Sequence, residues 1–335
     1  MKMQKLYLSM MVSALAASAL AQAMPSSSAH YATDAYPGFD SEENIIAPSK
    51  KEPRWFAFWN GPKKSSASEQ YAYCGELVAE ESWSKAVKEL DALVREWPAS
   101  KEAAKAQEAL ATILLERLDD SIAAFEEYRY LIDYYSLYCD YSKMVDKLYE
   151  VAGRMRLEGK TIVFFRFRNT VDVRRAFEAC VLRAPGAKWA PEAMLTIGEL
   201  REEEEAYEQA VKVYENLRNL HFGSAEAKQA VAREAEVRKQ LLDDYGYNHE
   251  RVRDTINFYE MALRCCNDAD QARIKELLKS ARELIEAEAW KAVHFYDSPS
   301  RTRRSAINAY EKYLKEYPEG AHIEEARKRL EELKK

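Results

Sequence analysis

The side chains that could carry out catalysis are scattered along this chain rather than grouped in recognisable motifs. Its 335 residues contain no glycine-rich phosphate loop, no dinucleotide-binding loop, no G-x-S-x-G elbow and no H-E-x-x-H zinc motif. The run of glutamates at 202–205 is typical of a solvated helix end. The histidines stand apart, with no paired nucleophile; they are His30, His221, His249, His294 and His322. The sequence therefore predicts no enzyme, no cofactor and no metal site.

The five cysteines indicate neither a zinc site nor a disulfide framework. No C-x-x-C spacing occurs, and Cys265 and Cys266 are adjacent, where a mutual disulfide would be strained. The other three are Cys74, Cys139 and Cys180. We expect these side chains to behave mainly as small buried hydrophobic groups.

Residues 55–59 form the first of two segments with interaction chemistry. Trp55, Phe56, Phe58 and Trp59 fall within five positions. Basic residues flank them: Lys50, Lys51, Arg54, Lys63 and Lys64. Tryptophan suits the headgroup region of a membrane, and the basic groups suit an anionic surface, so one prediction is a membrane or partner anchor. The alternative is that the rings cap the exposed end of the helical domain, near Trp83 and Trp97.

The second segment is an insertion at 161–168, which includes Phe164, Phe165, Arg166 and Arg168. Residues 154–175 include seven basic and two acidic residues, which gives a local charge of +5 on an acidic protein. A loop of this kind suits an anionic or amphipathic partner, such as a lipid headgroup or an exposed β-strand. The alternative is that its apolar side chains fold back and fill the gap that the insertion makes.

The N-terminus has the pattern of a secretory signal peptide. A positively charged start precedes an uncharged apolar stretch at 6–20, and Ala21 and Ala23 form an A-x-A cleavage site. We expect removal of residues 1–23 and export of the mature chain, which has no lipid-anchor cysteine before Cys74. An uncleaved membrane anchor is the alternative.

Composition separates a linker from a helical domain. Gly and Pro number only ten each, which favours helix through most of the chain, yet five of the prolines lie in a linker at 24–66. The formal net charge of −6 lacks the positive field of a nucleic-acid binder.

A repeated helical spacing organises the domain at 67–335. Six times, a small residue is followed by larger residues at i+4 and i+7, and three of the six segments then reach a proline. These positions are Ala86, Leu90 and Leu93; Ala124, Tyr128 and Leu131; Val173, Phe177 and Cys180; Ala210, Tyr214 and Leu217; Thr255, Tyr259 and Ala262; and Ala306, Tyr310 and Tyr313.

An amphipathic helix precedes each of these segments, so that helices come in pairs. Matching first-helix positions are Tyr73/Cys74/Leu77, Ala111/Thr112/Leu115, Val151/Ala152/Met155 and Ile197/Gly198/Arg201. The pattern resembles the tetratricopeptide repeat and predicts an all-α, right-handed superhelix (an α-solenoid) of about five to six pairs. The prediction includes a loop at 157–171 in the third pair, a long helix at 270–296 and a polar capping helix at 321–335.

The export signal, the repeat domain following a polar linker and the aromatic insertion in the third pair together resemble the BamD family. That family belongs to the outer-membrane β-barrel assembly machinery. The chain departs from it in lacking the acylated cysteine and in having six rather than five pairs. The resemblance implies a non-enzymatic periplasmic scaffold, peripheral at the inner face of the outer membrane. Its implied partners are the barrel-forming subunit and unfolded outer-membrane proteins.

Two sets of site residues follow from these resemblances. By analogy with the repeat, an inner groove of the first three pairs binds extended peptide and is lined by Tyr71, Ile113, Arg117, Tyr149 and Arg156. The alternative is that these residues pack between helices. The last pair is expected to dock the barrel-forming subunit through Arg301, Arg303 and Arg304. Their positive charges are repelled by the positive end of the helix dipole, and a partner rich in carboxylates would relieve that repulsion. The alternative function is a general periplasmic repeat adaptor for cell division or pilus assembly.

Overall fold

The computed structural model describes residues 61–335 except 159, 163–164, 168–169, 246 and 300. Of residues 158, 160–162, 165–167 and 245 it describes the backbone only. The predicted signal peptide, with Ala21 and Ala23, and all but the end of the predicted linker therefore lie outside the described residues.

Thirteen helices and one short β-hairpin make up the described part of the chain. The helices are α1 (Ala67–Ala79), α2 (Trp83–Glu96), α3 (Lys101–Glu116), α4 (Ser121–Tyr135), α5 (Tyr141–Glu158), α6 (Thr170–Arg183), α7 (Ala190–Glu203), α8 (Tyr207–Leu220), α9 (Ala225–Tyr245), α10 (His249–Cys265), α11 (Asp268–Tyr296), α12 (Arg303–Glu316) and α13 (Ile323–Lys334). Counted in sequence order they give the predicted six successive pairs and a final helix, with α7 and α8 of the fourth pair in different compact units. The long α11 and the terminal α13 also agree with the sequence.

The helices fall into two compact units, one ending at Glu204 and the other beginning at Glu205. In the first unit consecutive helices pack against each other, from α1 with α2 through α6 with α7, and α1 also contacts α3. The second unit repeats this arrangement from α8 to α13, with α9 against α11. Within each unit, the packing of each helix on its sequence neighbours is the arrangement of an α-solenoid, and the predicted all-α, α-solenoid fold class is confirmed.

The repeat positions form the core of both units. All eighteen second-helix positions read from the sequence are buried, and none is more than 3% exposed. Small residues such as Ala86 and Ala124 let neighbouring helices approach closely, while Tyr128 and Tyr214 fill the space beside them. Burying each large side chain contributes about 1.5–3 kcal/mol.

Local signals set the helix ends. α2, α6 and α12 each end two residues before a proline, at Pro98, Pro185 and Pro318. Several helices begin with a side-chain cap, in which an oxygen accepts a hydrogen bond from a backbone N–H of the first turn. The capping residues are Ser66, Ser100, Asp120, Asn248 and Thr302.

Buried glutamine–glutamate contacts clamp the two helices of each of the first two pairs. Gln70 Nε2 donates to Glu89 Oε2 at 2.7 Å, and Gln107 Nε2 donates to Glu127 Oε2 at 2.7 Å. Each amide also donates to the backbone carbonyl of its partner glutamate, at 3.3 and 2.9 Å. The second hydrogen bond fixes the amide against the backbone of the facing helix as well as against its side chain.

These contacts correct the predicted register of the first helices. Gln70 and Gln107 make equivalent hydrogen bonds, so the residues four positions after them, Cys74 and Ala111, are equivalent too. The spacing read from the sequence matches Tyr73 with Ala111, which is wrong by one residue. Burial agrees, since Cys74 and Ala111 are buried whereas Tyr73 is half-buried. Spacing alone missed this shift because the loop before the second helix is one residue longer in the second pair.

The sequence predicts a loop for the insertion in the third pair. The structure shows an antiparallel hairpin there instead. Strand β1 (Lys160–Ile162) pairs with β2 (Phe165–Phe167), and Thr161 faces Arg166 in the register. The β-branched residues at 161–163 and the aromatic residues at 164, 165 and 167 favour this structure. It lies in the chain between α5 and α6.

Candidate functional site

A cavity of about 460 Å³ lies between α1 and α3, in the first unit. Three of the five predicted groove residues line it, namely Tyr71, Ile113 and Arg117. Its other lining residues are Val78, Trp83, Lys105, Glu108, Ala109, Thr112 and Glu116. The structure therefore brings together the groove residues of the first two pairs.

One face of α3 forms one wall of this cavity. Positions 105, 109, 112, 113 and 116 recur at helical intervals, so that they lie on one face of the helix. Ile113 forms an apolar surface and is only 6% exposed. Ala109 leaves space that a larger side chain would fill. The opposite wall comes from Tyr71 and Val78, which are two turns apart on α1.

The cavity combines aromatic surface with charges of both signs. The guanidinium of Arg117 lies over the ring of Trp83, 5.0 Å from its centroid. Lys105 supplies a second cation, and Glu108 and Glu116 supply carboxylates. The pKa of Tyr71 is raised by burial first and by the nearby Cys74 and Glu108 next, so its hydroxyl stays protonated at neutral pH. Such a site can bind an apolar side chain and a carboxylate together.

The other two groove candidates face a different junction, between α5 and α7. The ring of Tyr149 is stacked on Trp189, with centroids 4.6 Å apart and planes 5° apart. Trp189 in turn donates a hydrogen bond to Asp146 Oδ1 at 2.8 Å. Burial and the neighbouring Glu192 raise the pKa of Tyr149. Tyr149 is thus packed between helices and does not line the α1–α3 cavity.

Arg156 closes the same junction two turns further along α5. It donates to Thr196 Oγ1 at 2.9 Å and to Glu199 Oε2 at 2.7 Å, both on α7. The structure does not bring Tyr149 and Arg156 to the α1–α3 cavity. Sequence reasoning in turn missed Trp83, Glu108 and Glu116 as cavity residues, although the helical spacing along α3 could have identified the two glutamates.

The three arginines predicted to dock a partner lie before and at the start of α12, in the second unit. Arg303 Nε donates to the carbonyl oxygen of Leu333, near the C-terminus of α13. Arg301 lies over the ring of Phe295, 4.5 Å from its centroid. Arg304 is exposed. Part of the predicted repulsion at this helix start is therefore relieved within the chain, by the negative end of α13.

The aromatic segments contribute little to the described site. Trp55, Phe56, Phe58, Trp59, Phe164 and Arg168 lie outside the described residues. Phe165 and Arg166 belong to β2, and their backbones pair with Ile162 and Thr161. Apolar side chains flank the insertion in solvent, with Leu157 76% and Val171 37% exposed.

All five cysteines lie within the described residues, none is in a disulfide, and Cys74 and Cys180 are buried. Burial raises the pKa of Cys74 to about 12, which keeps its thiol protonated. Across the described ranges, no three histidine, cysteine or acidic side chains are grouped to hold a metal ion. In the same part of the chain, no helix has the length and apolar character needed to span a bilayer.

No protein-family model and no curated protein matches this chain. It is similar to the solved C-terminal part of a TPR repeat-containing protein from Cytophaga hutchinsonii, at 16% identity and a TM-score of 0.32, over 79% of this chain and 88% of that one. It is also similar to a tetratricopeptide repeat protein from Parabacteroides merdae, at 14% identity and a TM-score of 0.28, over 80% and 99% of the two chains. The fold assignment given above comes from the packing and burial within this chain.

Proposed function

We propose that this protein is a non-enzymatic scaffold that binds segments of other proteins, and that the α1–α3 cavity is its peptide site. The observation that carries the proposal is the meeting of Tyr71, Ile113 and Arg117 in one cavity of about 460 Å³. The volume is within the range of ligand sites, and the mixed apolar and charged lining suits a side chain with a polar neighbour. Recognition of extended peptides commonly combines such a pocket with fixed polar contacts.

The ligand chemistry follows from the lining. An aromatic side chain would pack against Ile113 and the ring of Trp83, while a carboxylate would pair with Arg117. Glu108 and Glu116 disfavour an acidic residue elsewhere in the peptide by like-charge repulsion. The best ligand is therefore an extended peptide that ends in an aromatic residue with a free carboxylate.

The finer proposal places this scaffold in the assembly of outer-membrane β-barrel proteins. It rests on the resemblance to the BamD family, the export signal in the sequence and the match between the cavity chemistry and barrel strands with aromatic ends. In this proposal the protein is periplasmic, peripheral at the inner face of the outer membrane, and binds both the barrel-forming subunit and unfolded barrel proteins. The competing proposal is an adaptor for cell division or pilus assembly.

Peptide binding tests the site. A labelled ten-residue peptide ending in Phe with a free carboxylate is titrated against the wild type and Arg117→Gln, by fluorescence anisotropy. We expect the substitution to raise Kd at least about tenfold, equivalent to about 1.4 kcal/mol. The same peptide with an amidated C-terminus should bind the wild type as weakly as the free-carboxylate peptide binds Arg117→Gln. Arg156→Gln is the matched control, because it removes the same charge from the closed junction; an equal loss in both variants would contradict the site.

Co-purification from cell envelopes tests the finer proposal. Recovery of a β-barrel protein with periplasmic modules supports barrel assembly, whereas recovery of division or pilus components supports the adaptor. The predicted docking surface is tested with Arg301→Glu/Arg304→Glu, which spares Arg303 and its contact with α13. Lys279→Glu/Lys291→Glu is the control, since it makes the same charge change at side chains that are 77% and 72% exposed. Unchanged recovery in the arginine variant would place the docking surface elsewhere.

A further inference from the structure

Three sulfur-containing side chains lie together at the end of α10, in the second unit. Met261 and Cys265 are four residues apart, which places them on one face of the helix, and Cys266 follows immediately as the C-cap residue. The Sγ atom of Cys265 is 3.4 Å from the Sδ atom of Met261. We call Met261, Cys265 and Cys266 the sulfur cluster of α10.

The two cysteines of the sulfur cluster differ in burial from the small hydrophobic groups that the sequence predicts. Cys265 and Cys266 are half-buried, whereas Cys74 and Cys180 are buried. Met261 is half-buried as well, and all three side chains of the cluster pack against the core that α9, α10 and α11 form. The cluster is therefore at the edge of this core, within reach of a small ion from solution.

Both cysteines are available as thiols. A disulfide between adjacent residues is strained, and neither Cys265 nor Cys266 is in a disulfide. The thiol of Cys265 donates to the carbonyl oxygens of Met261 and Ala262, at 3.4 and 3.7 Å. The carbonyl oxygen of Ala262 also accepts a hydrogen bond from the backbone N–H of Cys266 at 2.8 Å, so it keeps a donor when the Cys265 thiol loses its proton.

The ligand types in the cluster select a soft metal ion. Thiolates and thioethers suit Cu(I), whereas Zn²⁺ in proteins takes its ligands from cysteine, histidine and carboxylate side chains. In the described part of the chain, no third side chain of those three kinds joins the two cysteines. Two sulfur atoms that share an ion at about 2.3 Å, the length of a zinc–thiolate bond, lie at most about 4.6 Å apart. The 3.4 Å between Met261 Sδ and Cys265 Sγ is within that limit.

Charged groups of both signs surround the cluster. Burial first, and then the neighbouring thiol and the carboxylates of Asp270 and Asp268, raise the pKa of Cys266, so both carboxylates are close to this thiol. On the other side, Arg218 Nη1 lies 3.9 Å from Met261 Sδ. The carboxylates attract a cation to the cluster, and the guanidinium stabilises the charge of −1 that one Cu(I) and two thiolates carry together.

We propose that the sulfur cluster of α10 binds one Cu(I) ion, with the thiolates of Cys265 and Cys266 and the thioether of Met261 as its three ligands. Binding releases one proton from each thiol to solvent, and the copper keeps its oxidation state, so no oxidant or reductant is needed. The site belongs to the second unit, whereas the proposed peptide site belongs to the first, so that each proposal is tested without the other.

Anaerobic titration of the full chain with Cu(I), in competition with bicinchoninate, tests the ligand set. We expect one Cu(I) per chain and a thiolate-to-copper absorption band in the ultraviolet. Cys265→Ser/Cys266→Ser should abolish both, and Met261→Leu, which keeps the side-chain volume, should raise Kd at least about tenfold. Cys139→Ser is the matched control, because it removes another half-buried thiol and should change neither. Unchanged affinity in Met261→Leu, or binding that survives in the double variant, would overturn the proposal.

Thiol protection in the wild type keeps the test independent of the folding of any variant. The chain is treated with iodoacetamide, with and without one equivalent of Cu(I), and the modified peptides are quantified by mass spectrometry. Cu(I) should slow modification of Cys265 and Cys266 at least about tenfold and leave Cys139 unchanged, because a thiolate bound to metal is a poor nucleophile. Equal protection of Cys139, or none at Cys265 and Cys266, would contradict the site. Protection by Zn²⁺ as strong as that by Cu(I) would contradict its preference for a soft ion.

Discussion

The α1–α3 and α5–α7 junctions each bring together a tyrosine and an arginine, but the first contains a cavity and the second is a closed contact. At both, side chains of the first helices of consecutive pairs meet, with a tyrosine and an arginine among them: Tyr71 of α1 with Arg117 at the end of α3, and Tyr149 with Arg156, both of α5. At α1–α3 these residues line a cavity of about 460 Å³. At α5–α7 the tyrosine is stacked on Trp189 and the arginine is hydrogen-bonded to Thr196 and Glu199.

The difference lies in what the neighbouring helix contributes rather than in the tyrosine and arginine. α3 presents Ala109 on its cavity face, whereas α7 brings an indole at its N-cap and the carboxylate of Glu199 nearly three turns later. A repeat can therefore keep its fold while one junction binds a ligand and another becomes a rigid contact. The comparison makes distinct predictions for the two junctions.

Removal of the indole should have the largest effect, and mainly on stability. Trp189→Ala deletes the stack with Tyr149 and the hydrogen bond to Asp146, and we expect a loss of about 2–3 kcal/mol in the free energy of unfolding by urea. Trp83→Ala is the matched variant at the open junction and should cost about 1 kcal/mol while abolishing peptide binding. Equal stability losses would contradict the distinction between a closed and an open junction.

Loss of the clamp beneath the open junction should come next. Gln70→Leu leaves the carboxylate of Glu89 buried without its amide donor, which should cost about 2 kcal/mol in the same measurement. Gln70→Leu/Glu89→Leu removes both polar groups and should recover most of that stability. A double variant that is less stable than the single one would show that Glu89 has a further role.

The fold was predictable because it depends on local spacing. Eighteen repeat positions in the second helices could be read from the sequence, and all are buried. The first-helix register was not, because the glutamine clamps that define it join residues 19 and 20 positions apart. The hairpin was missed because a six-residue pattern between two helices is read as a loop when only helical spacing is considered.

The site was predictable only in part for a related physical reason. The sequence indicates which face of each first helix points inward. Whether that face lines a cavity or is closed by contacts depends on the size of the side chain opposite it. Trp189 lies 40 residues from Tyr149, and no rule of spacing pairs them. Trp83 enters the cavity from a second helix and was therefore absent from a first-helix analysis.

The two arginines should separate binding from stability. Arg156→Met breaks contacts with Thr196 and Glu199 and should cost up to about 1 kcal/mol, a modest value because both ionic side chains are partly exposed, at 33% and 21%. Arg117→Met should leave unfolding almost unchanged and weaken the aromatic-ended peptide at least about tenfold. Thermal melts and anisotropy titrations of both variants check this; a destabilised Arg117 variant with normal affinity would reverse the assignment.

The smallest effect concerns the hydroxyl of Tyr71. Its pKa is raised, so the protonated hydroxyl persists above the usual tyrosine range, and a hydrogen bond that it donates would be lost only as pH rises through that higher value. Peptide affinity should therefore stay constant from about pH 7 to 9.5, below the ordinary pKa values of tyrosine and lysine. Tyr71→Phe should raise Kd only a few-fold, as expected for one neutral hydrogen bond, and keep the same flat profile. A fall in affinity below about pH 9.5 that Tyr71→Phe abolishes would mean that this hydroxyl ionises early and that burial does not govern it.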